Sequence, residues 1–137
     1  MPHTVTLLHR TFALSSAAVT EARLAVVDAL RRQGVSAELV DVVALATSEL
    51  CANAVQAGKG STFDVQAHAS EDGSRVAMQV RSAGVLDDIP DRSTWKSEDP
   101  LAHRGRGLAI VDTIAETLDF DSDHEGLTVS ATFGDDR

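Results

Sequence analysis

Residues 36–58 read Ser-Ala-Glu-Leu-Val-Asp-Val-Val-Ala-Leu-Ala-Thr-Ser-Glu-Leu-Cys-Ala-Asn-Ala-Val-Gln-Ala-Gly, and residues 61–83 read Ser-Thr-Phe-Asp-Val-Gln-Ala-His-Ala-Ser-Glu-Asp-Gly-Ser-Arg-Val-Ala-Met-Gln-Val-Arg-Ser-Ala. In the first stretch Leu39, Val43, Ala46, Leu50 and Ala54 step by three or four residues, the spacing of a helix with one apolar face. Ser36 can cap its start and Gly58 its end. In the second stretch the period drops to two. Phe63, Val65 and Ala67, then Val76, Met78 and Val80, alternate with polar neighbours, and Asp72-Gly73 between them marks a hairpin turn. A long helix that hands over to an antiparallel hairpin needs a sheet to pack on.

The flanking sequence supplies the rest of that sheet. Residues 3–13 suit a strand with one wet face, carrying Val5, Leu7 and Phe12. Ser15 and Ser16 offer caps for a first helix in which Val19, Ala22, Val26, Ala29 and Leu30 recur until Gly34. Residues 84–104 hold Pro90, Pro100 and many polar groups, a connection long enough to be read as a functional lid. Residues 107–117 carry Leu108, Ile110, Val111 and Ile114 at helical spacing, and residues 118–123 and 127–133 read as a closing hairpin turned at Glu125-Gly126. The order βααββαββ predicts an α+β domain: a two-layer α/β sandwich with a mainly antiparallel sheet and three helices on one face.

Composition bounds the function. With 137 residues the chain is read as a single domain spanning residues 1–137, large enough for one core without disulfide or metal staples. Twelve Lys and Arg against 21 Asp and Glu leave a net charge of -9, which argues against direct nucleic-acid binding and suits a basic partner surface. The 43% apolar and 24% charged residues are those of a folded soluble domain. No apolar run approaches membrane-spanning length and no secretory signal opens the chain, so the expectation is a cytoplasmic protein without a membrane partner. A lone cysteine, Cys51, excludes an internal disulfide.

Two constellations carry possible chemistry. Glu49 and Asn53 lie four residues apart on one helix face, where both can reach one ligand. A carboxylate can accept a proton from an attacking hydroxyl, and an amide oxygen can ligate Mg²⁺. The same spacing also describes an ordinary solvated face. Arg104, Gly105, Arg106, Gly107 and Leu108 open the third helix. Glycines admit a phosphate to the backbone, the helix start presents free N–H groups, and the arginines add charged donors. The bland alternative is a helix start that needs flexible dihedrals.

Together, Glu49-Leu-Cys-Ala-Asn53-Ala54-Val55 resembles the N box, and Gly105-Arg106-Gly107-Leu108-Ala109-Ile110-Val111 resembles the second glycine box, of the anti-sigma factor serine/threonine kinases, a branch of the GHKL (histidine-kinase-like) ATPases. The resemblance covers nearly the whole chain. It implies a regulator that binds a sigma factor and uses Mg-ATP to phosphorylate a serine on a small antagonist protein. Asn53 would then ligate Mg²⁺ and Glu49 would act as base or polarise the metal's water. ATP contacts would come from Ser82, Gly84, Arg104, Gly105, Arg106, Gly107 and Leu108.

One departure from the family pattern stands between the boxes. Where the family has Asp-x-Gly-x-Gly, with the Asp accepting the adenine amino group, this chain has Ser82-Ala83-Gly84-Val85-Leu86. Losing a charge-assisted bond of about 1.5–3 kcal/mol weakens nucleotide affinity roughly ten- to a hundred-and-fifty-fold. The alternative function is therefore a non-catalytic anti-sigma or adaptor module with a degenerate nucleotide site. Edge strands and an apolar first-helix face permit a homodimer. Cys51 reads as a packed side chain; Asp87, Asp88 and Asp91 as a solvated loop cluster; Asp119, Asp121 and Asp123 as one solvated strand face. Trp95 either packs the lid down or anchors a partner.

Overall fold

The computed structural model describes residues 4–95 and 105–135. Five strands and three α-helices follow in the order β1 (Thr4–Ala13), α1 (Ser16–Arg32), α2 (Ala37–Ala57), β2 (Thr62–Ser70), β3 (Arg75–Ser82), α3 (Arg106–Ile114), β4 (Thr117–Asp123) and β5 (Gly126–Gly134). Two short 3₁₀ turns, Leu86–Asp88 and Arg92–Thr94, lie between β3 and α3.

Local chemistry explains the helix ends. Ser15 Oγ accepts from Ala18 N at 3.3 Å, and Ser36 Oγ accepts from Leu39 N at 3.2 Å, so each helix start has a donor satisfied by its cap. At the far end of α2 Gly58 adopts φ +66°, and its N–H returns to the carbonyls of Ala54 and Val55. Between the caps, Ala18, Ala22, Val26 and Leu30 of α1 are buried at a spacing of four. Leu39, Val43, Ala46, Leu50 and Ala54 of α2 are buried as their spacing predicts.

All four strand pairings are antiparallel, in the spatial order β1-β2-β3-β5-β4. Val65 faces Val80, and Val80 faces Val129, so the buried residues of three strands form one row under the helices. Alternation sends Asp64, Gln66, Gln79, Arg81, Thr128 and Ser130 to the other face, which stays polar. The core thus lies between a half-wet sheet and the helix layer, a two-layer sandwich. Among the described residues Thr47 is the one fully buried hydroxyl; it donates to Val43 O at 2.8 Å and meets Met78 Sδ at 3.4 Å.

Helix α3 is shorter than its pattern suggests. It ends at Ile114, not Thr117, because Glu116 N donates to Thr132 O at 2.7 Å and draws residues 116 and 117 into strand pairing. In β1 a register shift between Thr6 and Leu8 interrupts the alternation. No helix among the described residues is long and apolar enough to cross a membrane.

Candidate functional site

Helix α2 carries Glu49 and Asn53 one turn apart, and α3 starts across from them. The two helix segments enclose a pocket of about 140 Å³, lined by Glu49, Ala52, Asn53, Gln56, Gly105, Arg106, Gly107, Leu108 and Ile110. Residues 52, 53 and 56 follow Glu49 by three, four and seven positions, so they share its face. Ala52, Gln56 and Ile110 were not singled out from sequence, although that spacing was there to find the first two.

Asn53 is 8% exposed, and no described residue hydrogen-bonds its side chain. Among the described residues no sealed side-chain N or O lacks a partner, so the Asn53 amide must reach solvent. The pocket is its opening. An amide held with its polar atoms turned to a cavity, not to a neighbouring group, is available to a ligand.

The opposite wall depends on two glycines. Gly105 sits at the N-cap of α3 with φ +93° and has no side chain with which to cap the helix start. Gly107 lies so close to α2 that a Cβ there would overlap Glu49 Oε2 and stand 3.3 Å from Glu49 Cβ. A helix start brought against a carboxylate and a carboxamide sets an anion-binding end beside oxygen donors for a hard cation. Arg106, exposed on the first turn of α3, adds positive charge at the rim.

The other site residues expected from sequence fall elsewhere. Ser82 ends β3 on the helix-covered side of the alternation, yet it lines a separate pocket of about 170 Å³ with Gly60, Thr62, Arg81, Ala83 and Glu125. Gly84 is buried in the turn after β3, where a Cβ would stand 2.8 Å from Asp88 Oδ2. Leu86 is 48% exposed, so it does not fill a buried base pocket. Arg104 and His103 lie outside the described residues. A larger cleft of about 770 Å³ lies at the opposite end of α2, next to Glu38 and the Arg75–Glu116 ion pair, and contains none of these residues.

The acidic residues resolve into local caps. Asp88 Oδ2 accepts from Val85 N at 2.8 Å, and Asp91 Oδ1 accepts from Ser93 N at 2.9 Å; that bond holds the Asp91 carboxyl below the usual range. Asp123 is lowered first by the Glu125 N–H and then by Arg81, as the anchor of the last hairpin. No three His, Cys, Asp or Glu groups converge on a metal-sized space among the described residues. Burial pushes the Cys51 thiol up to about 12, which makes it a packing group and not a nucleophile. Trp95 packs inward at 3% exposed, so the inward alternative holds for it.

A two-layer sandwich with an antiparallel sheet, and a helix-borne carboxylate and carboxamide facing a glycine turn, defines a domain of the GHKL ATPase class. The sequence profile of the histidine kinase-like ATPase domain matches residues 12–133, and the chain belongs to that family. Among solved structures it is similar to the RsbU and RsbW domains of Rv1364c from Mycobacterium tuberculosis, with a TM-score of 0.69 and 21% identity over 93% of this chain. At that identity the likeness is one of fold, and this chain spans 32% of the length of that one. The comparison with curated proteins returned no match.

Proposed function

We propose that this domain binds Mg-ATP between α2 and α3 and acts as an anti-sigma regulatory factor with serine/threonine kinase activity toward a small antagonist protein. The observation that carries the nucleotide part is the convergence of Glu49, Asn53 and Gly105 to Leu108 on one pocket. The residues fit the metal and the phosphates. Asn53 holds an unpartnered amide toward the pocket, and Gly107 keeps a Cβ out of it. The anti-sigma and antagonist part rests on the family resemblance of the two boxes and agrees with the RsbW domain named in the similar structure.

When bound, Mg²⁺ would neutralise phosphate charge, and Asn53 would supply one oxygen ligand to it. The start of α3 and the Arg106 guanidinium would receive the phosphate charge. A serine oxygen of the antagonist attacks the γ-phosphorus, the bond to the β–γ bridging oxygen breaks, and ADP leaves. Glu49 accepts the serine proton. General-base catalysis of this kind contributes on the order of 10²–10⁴ in rate, so Glu49→Gln should lose at least about a hundredfold.

The test is calorimetric titration with Mg-ATP, followed by transfer from labelled ATP to candidate antagonists, with Glu49→Gln and Asn53→Ala as controls. Submillimolar binding that needs Asn53, and phosphoserine formation that needs Glu49, support the kinase. A second reading, the non-catalytic binding module, is favoured by one observation: Ser82 lines a different pocket from Asn53 and supplies no carboxylate for adenine. Absence of nucleotide binding by the wild-type domain, with antagonist or sigma factor still bound, selects that reading.

A further inference from the structure

We propose that Trp95, held by Arg92, is a positioning residue for the phosphate end of the pocket: it clamps the glycine turn that starts α3 and so keeps that turn against Glu49. This inference rests on the nucleotide reading above. Its starting point is a short, pre-shaped turn. Asp91 accepts from Ser93 N at 2.9 Å through its side chain, and its carbonyl accepts from Thr94 N at 2.9 Å and Thr94 Oγ1 at 2.7 Å. The turn delivers Trp95 inward, and Trp95 Nε1 donates to Pro90 O at 2.8 Å, so the indole is satisfied locally.

The ring then makes three contacts that join separate elements. It packs edge-on against Phe120 of β4, with centroids 5.9 Å apart. The Arg92 guanidinium lies 4.6 Å above it and also meets Asp112 Oδ1 of α3 at 3.4 Å. The third contact is with Gly105, where a Cβ would stand 2.8 Å from Trp95 Cδ1 and 3.3 Å from Trp95 Cα. Gly105 O in turn accepts from Ala109 N at 2.9 Å, the first intrahelical bond of α3. Two residues on, Gly107 meets Glu49. The contacts therefore run from β4 through Trp95 and Gly105 to Glu49.

The chain's only Trp is also the reporter. Four proteins are compared: wild type, Trp95→Ala, Trp95→Phe as the rescue, and Arg92→Met, whose exposed position spares the fold. Without ligand, Ala109 amide exchange should rise about tenfold in Trp95→Ala, while the β2 and β3 amides serve as the control for global stability. With Mg-ATP, Trp95 emission in wild type should change saturably, affinity should fall about tenfold in Trp95→Ala and about threefold in Arg92→Met, and Trp95→Phe should stay within about threefold of wild type. Wild-type Ala109 exchange in folded Trp95→Ala, or in Arg92→Met should the first variant fail to fold, overturns the clamp whatever the nucleotide result. Nucleotide binding by wild type with equal affinity in the variants overturns the positioning role and leaves the proposed function standing. No binding by wild type removes the proposed function, and with it the role toward phosphates, while Ala109 exchange still decides whether the clamp exists.

Discussion

Replacing Gly107 by Ala should separate folding from function. Gly107 is the second residue of α3 and has ordinary helical freedom, so Ala is conformationally welcome there and would gain up to about 1 kcal/mol of helix propensity. Against this stands the close approach of α2. The added methyl overlaps Glu49 Oε2 and sits 3.3 Å from Glu49 Cβ and Cδ. The carboxylate is the far end of a flexible side chain and swings away; the Cβ contact relaxes by tenths of an ångström. The two terms nearly cancel, and the melting temperature should move by less than about 4 °C, the equivalent of roughly 1 kcal/mol in a domain of this size. Glu49, however, loses its place. Displacing a group that orients a reactant by about 1 Å costs up to about a hundredfold in rate. Single-turnover phosphotransfer and scanning calorimetry on the same sample measure both quantities. Transfer at the wild-type rate, or a melting point lowered by more than about 8 °C, would refute the reasoning.

Ser82→Asp should tighten ATP by about 1.5 kcal/mol, over tenfold, and leave GTP unimproved because its six-position carbonyl cannot donate to a carboxylate; Leu86 is half in solvent and should not need to be changed, so equal gains for both nucleotides in parallel titrations would remove the adenine argument. Cys51, with its thiol raised to about 12 by burial, should resist a thiol reagent at pH 8 and react once denaturant unfolds the chain; fast labelling of the native protein would contradict its packing. Asp72 is lowered to about 2, first by the Ser74 N–H and then by the Ser74 and Ser70 hydroxyls. Its folded value lies below its unfolded one, so its stabilising effect is present above about pH 4 and fades as pH falls toward 2. Asp72→Ala should therefore melt below wild type at pH 7, with the gap closing across that window, and a gap independent of pH would point to another cause.

The element order was legible in the sequence because period and capping are local properties. Residues 36–58 carry their helix in the three-four spacing of Leu39, Val43, Ala46 and Leu50, with Ser36 and Gly58 at its ends. The two hairpins follow from alternation, the first turning around Asp72-Gly73; the second turns at His124-Glu125, one residue before the Glu125-Gly126 read from sequence, because Gly126 already pairs with Asp123. Glu49 and Asn53 were visible as a pair for the same reason, since four residues on a helix are always one turn. What joins distant segments had to wait for the tertiary structure. Nothing in β5 alone places it between β3 and β4, nor ends α3 at Ile114 by pairing Glu116 with Thr132. The pattern around Trp95 allowed either a partner anchor or a packed ring, and the choice fell to Phe120 and Gly105, residues distant in sequence that the fold brings onto its ring. Ser82 and Asn53 open into different pockets, and Gly107 touches Glu49, because packing sets the distance between α2, α3 and the end of β3. A segment's sequence dictates which face it turns inward; which atoms meet across that face depends on the shapes of both partners at once.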